Sequence, residues 1–122
     1  MNKISLLCAL MFFTLLPAHA AEPEEEISHL LLYVQNTECE YDRNGTIYTG
    51  EEAAEHIQTK YDYFKNRINT AERFIELSAT KSTMSGRQYT VQCRGLEKLT
   101  SKDWLLKELE SYRTRGAAAT SQ

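Results

Sequence analysis

Three short patterns in this chain carry side chains able to do chemistry. Glu40-x-Asp42-x-Asn44-Gly45-x-Ile47-x-x-x-Glu51 sets oxygen ligands at alternate positions, with a glycine for the sharp turn and a closing glutamate, close to a calcium-binding EF-hand loop. Its first position holds Glu40 where such loops use aspartate, and Asn44-Gly45 between alternating runs is the signal of a tight two-residue hairpin. The hairpin is therefore the expected structure, with calcium binding as an alternative. Ser78-Ala79-Thr80-Lys81 fits S-x-x-K, in which a lysine one helical turn away activates a serine. The companion S-D-N and K-T-G elements are absent, so a helix face with a solvated lysine is expected. His56 and Lys60 stand at i and i+4 with Glu52 one turn earlier, the layout of a general base with an orienting carboxylate. No nucleophile is tied to His56 by spacing, and a small hydrolase or transferase using His56 with a serine is the enzymatic alternative.

The elements that must position these residues follow from periodicity and capping. Ile27, Leu30, Leu31 and Val34 recur at helical steps behind Glu24, Glu25 and Glu26, which suit the positive start of a helix ending near Asn36. Cys39 to Tyr48 reads as the hairpin. Thr49 and Glu52 form a T-x-x-E capping box before the longest helix, whose Ala53, Ile57, Tyr61, Phe64 and Ile68 share one face. Thr70 caps a short helix carrying Ala71, Phe74, Ile75 and Ser78 inward. Lys81 to Gly86 has no apolar period, and Tyr89, Val91 and Cys93 then alternate with Thr90 and Gln92 as a half-buried strand. Thr100 and Asp103 open a final amphipathic helix with Trp104, Leu105, Leu109 and Tyr112. The expected fold class is α+β: four helices with a small antiparallel sheet of two to three short strands.

Residues 1–20 read as a secretory leader, with Lys3, an apolar run from Ile4 to Leu16, and cleavage after Ala20. Residues 21–113 then form a single domain, and 114–122 a disordered tail. The mature chain holds 13 basic against 17 acidic side chains, a net charge of about −4, with no basic run. Nucleic acid is a poor partner for such a surface. No later segment has the length of a membrane-spanning helix. Two cysteines remain after the leader in a chain sent to an oxidising compartment, so Cys39 and Cys93 are expected to form a disulfide.

The motifs RNG (Arg43 to Gly45), A-x-x-H-I (Ala53 to Ile57), TAERFI (Thr70 to Ile75), SGRQY (Ser85 to Tyr89) and the two cysteines together resemble the YfeK-like family of small periplasmic proteins, from about Ile27 to Arg113. The resemblance implies secretion, one domain and a disulfide, and it carries over no catalytic role. Ser85-Gly86-Arg87-Gln88-Tyr89 is also similar to the SGxxY signature of periplasmic lysozyme inhibitors. Those inhibitors are β-barrels, whereas a mostly helical chain is expected here. The ordinary meaning of Ser-Gly before an alternating run is a turn entering a strand, with Tyr89 in the core.

The functional expectation is a periplasmic, non-enzymatic binding module that recognises a periplasmic protein or a cell-envelope ligand through the polar loop Lys81–Gln88. Its expected surface combines Arg43, Asn44, His56, Lys81, Ser82, Ser85, Arg87 and Tyr89. No cofactor, metal or catalytic set is assigned.

Overall fold

A computed structural model of the chain describes residues 21–120; the expected leader lies outside the described residues. Pro23 starts helix α1 (Pro23–Gln35), where proline's missing N–H costs nothing, and Glu24, Glu25 and Glu26 occupy the first turn. The stripe expected on α1 is buried at Ile27, Leu30 and Val34, while Leu31 only flanks the core.

The hairpin forms from β1 (Glu40–Arg43) and β2 (Thr46–Tyr48). Its two turn residues take positive φ, 55° at Asn44 and 86° at Gly45, the geometry that asparagine and glycine tolerate and that matches the twist of paired strands. The Asp42 carboxylate accepts the Gly45 N–H at 2.8 Å and is thereby committed to the turn. In helix α2 (Gly50–Phe64) the capping box is complete: Thr49 Oγ1 accepts the Glu52 N–H, and the Glu52 carboxylate accepts the Thr49 N–H. A single 3-10 turn, Lys65–Arg67, tightens its end. Thr70 Oγ1 accepts the Arg73 N–H at 3.0 Å and starts α3 (Ala71–Ser78). After β3 (Thr90–Gln92) a two-residue strand, β4 (Leu99–Thr100), leads into α4 (Ser101–Thr120), where Thr100 Oγ1 accepts the Asp103 N–H.

Two differences from the sequence reading are local. The sheet has four strands, because Leu99 and Thr100 pair with Val91 and Thr90 over a stretch too short to show any alternation. Helix α4 runs to Thr120 rather than stopping near Arg113: once a helix is nucleated, alanines such as Ala117, Ala118 and Ala119 extend it at little cost.

The strand order is β2-β1-β3-β4, antiparallel throughout. Facing residues in such pairs share one side of the sheet, so Tyr41, opposite both Tyr48 and Val91, marks the inner face together with Arg43 and Leu99. Tyr41 and Val91 are buried beneath the helices, and Ile47, on the other face, is 53% exposed. Core contacts include Tyr61 edge-on to Phe74 and Tyr33 against Trp104. The Tyr41 hydroxyl meets its need for a partner in the core by pairing with Ser101 Oγ at 2.6 Å. Cys39 and Cys93, 54 positions apart, are disulfide-bonded next to the Glu40–Gln92 pair and enclose α2 and α3. On the opposite side, Arg113 of α4 donates to both oxygens of the buried Glu26 on α1 and also pairs with Glu72 of α3. Helix α4 thereby joins α1 and α3. No helix among the described residues is long and apolar enough to cross a membrane.

Candidate functional site

The polar loop from Lys81 to Gln88 is a closed, internally bonded turn. Lys81 and Gln88 form an antiparallel bridge, the Ser82 N–H donates to the Arg87 carbonyl, and the Gly86 N–H donates back to the Ser82 carbonyl, both at 2.9 Å. Gly86 sits at φ 73°, which glycine adopts without a side-chain clash. Ser82 is buried and its hydroxyl accepts the Ser85 N–H, so it holds the loop together instead of facing outward. Ser85 Oγ donates to Asn44 Oδ1 at 2.7 Å across to the hairpin turn and accepts the Arg87 N–H. The loop and the hairpin turn therefore form one braced edge. At its tip Met84 is 98% exposed.

Beneath this edge lies a second group of residues. Arg43 ends β1 on the inner face of the sheet, Tyr89 precedes β3 on the same face, and His56 and Lys60 come from adjacent turns of α2. The Arg43 guanidinium carbon lies 4.8 Å from the Tyr48 ring centre and 5.6 Å from that of Tyr89. Lys60 Nζ lies 5.4 Å from the Tyr89 ring centre and donates to the Lys81 carbonyl at 2.8 Å, which ties α2 to the start of the polar loop. His56 meets Tyr89 edge-on, with its Nε2 at 3.4 Å from the phenolic oxygen. Tyr89 itself is 2% exposed, with its ring against Tyr41, so it contributes chiefly packing and a hydroxyl.

The electrostatics of this corner are one-sided. Burial, then the charges of Arg43 and Lys60, push the His56 imidazole down to about 4, so the ring is neutral at pH 7 and Nε2 can accept the Tyr89 O–H. Burial and Arg43 also lower the Lys60 ammonium. Among the described residues no carboxylate pairs with Arg43, His56 or Lys60. Three acids near them in sequence have other partners: Asp42 accepts the Gly45 N–H, Glu52 the Thr49 N–H and Asp62 the Gln58 side-chain amide. Arg43 Nε is buried without a hydrogen-bond partner.

The eight expected surface residues thus divide. Asn44, Ser85 and Arg87 belong to the exposed edge, Arg43, His56 and Tyr89 to the cationic corner, Ser82 to the loop's interior, and Lys81 joins edge and corner through its carbonyl. Lys60 and Tyr48 complete the corner from outside the expected set; the i, i+4 relation of His56 and Lys60 is the one sequence signal for the former. The bonded partner of His56 is a tyrosine and not a serine. Ser78, the serine of the S-x-x-K pattern, is fully buried, whereas Lys81 is exposed. Two open clefts lie away from the corner's cations. One, of about 290 Å³, is lined by His29, Leu32, Tyr33, Asn36 and Thr37, and the other, of about 370 Å³, lies between the Thr37–Glu40 segment and the start of α2.

A family model described as a family of unknown function, DUF5329, matches residues 21–113. The chain belongs to this family. A relative from Salmonella typhimurium strain LT2, described as uncharacterized protein YfeK, is 37% identical over 94 residues, covering 73% of this chain and 77% of that protein. The YfeK-like resemblance carried by RNG, TAERFI, SGRQY and the two cysteines is thus borne out across most of the chain. No solved structure matches the chain.

Proposed function

We propose that this DUF5329 member is an exported, non-enzymatic binding module of the periplasm, and that its recognition edge is the Asn44-Gly45 turn joined to the Lys81–Gln88 loop. The observation that carries this reading is the Ser85–Asn44 bond, which ties two chain segments 41 positions apart and leaves Met84 projecting from a braced tip. A loop already held in one shape loses little conformational freedom on binding. A fully projecting methionine gives such a tip an adaptable apolar contact. The leader pattern and the Cys39–Cys93 disulfide support export. Against the hydrolase alternative, the bonded partner of His56 among the described residues is Tyr89, and against the calcium alternative, Asp42 is committed to its own turn.

Site-specific photocrosslinking in intact cells tests the proposal. A photoreactive residue at Met84 should give a discrete adduct that the same residue at exposed Leu96 does not, and Ser85→Ala with Asn44→Ala should weaken it. Identical adduct patterns from positions 84 and 96 reject this edge.

A further inference from the structure

We propose that the corner formed by Arg43, His56, Lys60 and Tyr89 binds an oxyanion, a phosphate or carboxylate group, as the charged anchor of whatever the braced edge recognises. The inference rests on the edge reading above for its biological setting, and on the corner alone for its chemistry.

A chain whose mature net charge is about −4 gathers two full cations and a neutral imidazole around one tyrosine and gives them no carboxylate among the described residues. Such an arrangement opposes folding by like-charge repulsion, and one anion relieves it. Three acids close by in sequence are held elsewhere, Asp42 by the Gly45 N–H, Glu52 by the Thr49 N–H and Asp62 by the Gln58 side-chain amide.

The donors are also arranged for an oxyanion. The Arg43 guanidinium packs near the rings of Tyr48 and Tyr89, which orients a planar fork suited to two oxygens of one group. Its buried Nε has no partner within the protein. Lys60 gives one of its three N–H bonds to the Lys81 carbonyl, which fixes the ammonium and leaves two donors. Arg43, His56 and Lys60 are each half-buried, where a charged hydrogen bond is screened less than at an open surface. Lys60 also links the corner to the polar loop, so an anion seated here would sit beside the recognition edge.

The test is a titration of the mature, disulfide-bonded protein followed by amide and imidazole NMR signals, with inorganic phosphate, methyl phosphate and acetate, each against sodium chloride at matched ionic strength. Saturable shifts at Arg43, Lys60 and Tyr89 with one or more of the three, together with a rise of the His56 titration toward its ordinary value, are expected. The groups facing His56 in that readout are Arg43 from β1, Lys60 from its own helix and Tyr89 from the start of β3. Which probe saturates separates a free phosphate from an esterified one and from a carboxylate. Lys60→Gln, with its side chain at the half-buried rim, should weaken the response roughly tenfold, as should Arg43→Gln where it folds. Ser85→Ala and Met84→Ala disturb the edge and should leave the titration unchanged, so loss of the crosslink and loss of the anion response are read separately. The proposal is overturned if none of the three probes saturates, if chloride reproduces the shifts, or if Lys60→Gln leaves them intact.

Discussion

Acidification from pH 7.5 to 4.5 probes the charge arrangement around His56. The imidazole takes its proton near 6.5 in the unfolded chain and near 4 in the folded protein, because burial and the charges of Arg43 and Lys60 oppose the imidazolium. Between these values the unfolded chain holds the proton and the folded protein does not. The contribution to stability is therefore complete above about pH 6.5, falls as the pH drops, and is lost by about pH 4. At about 1.4 kcal/mol per pH unit the upper bound is roughly 3 kcal/mol. Solvent over a half-exposed ring screens the charges and reduces this to about 1 kcal/mol. The lowered carboxyls of Glu52, Glu72 and Glu108 also lose stability on acidification, but at lower pH and equally in a His56 variant. Urea unfolding of wild type and His56→Gln at both pH values isolates the difference: wild type should lose about 1 kcal/mol more than the variant. An equal loss in both proteins, or an imidazole titrating near 6.5 by NMR, refutes the arrangement.

Three further outcomes follow from packing and covalent structure. Gly50→Ala places a methyl carbon 2.3 Å from the Val34 carbonyl oxygen and 2.8 Å from that of Thr37, so α1 and α2 must move apart; about 2 kcal/mol should be lost in chemical denaturation, and an unchanged midpoint contradicts that close approach. Arg113→Met leaves the Glu26 carboxylate buried and unpaired at a cost of about 2–3 kcal/mol, with much of it recovered in Arg113→Met/Glu26→Leu; a double-mutant cycle without coupling denies the bridge. Cys39→Ser with Cys93→Ser opens the ring closed across a sequence separation of 54 and should cost about 4 kcal/mol on the chain-entropy account, enough to leave the domain largely unfolded at 37 °C by circular dichroism.

Local chemistry made much of the fold legible. Thr49 with Glu52, Thr70 and Thr100 mark three helix starts because their side chains satisfy N–H groups two or three residues on, and the structure forms all three caps. Asn44-Gly45 marks the hairpin for an equally local reason, positive φ. The inner residues of α3, namely Ala71, Phe74, Ile75 and Ser78, are buried as their spacing predicts. Strand β4 is invisible because two residues have no period, and Arg113 reads as a surface cation until tertiary packing brings Glu26 and Glu72 to it. The corner was half legible for the same reason. Arg43, His56 and Tyr89 belong to the expected surface, but the proximity of Lys60 to Tyr89 depends on how α2 crosses the sheet, and no sequence spacing encodes that crossing.

The cystine spans everything between the first and third strands, and so it also spans the exposed tip at Met84. A protease that nicks the chain there severs the backbone without releasing a fragment, because both new ends remain inside one covalent ring. On a gel such a molecule migrates as a single species until reductant is added. A projecting tip inside such a ring thus tolerates scission, and wear at the surface it presents does not dismantle the body that carries it.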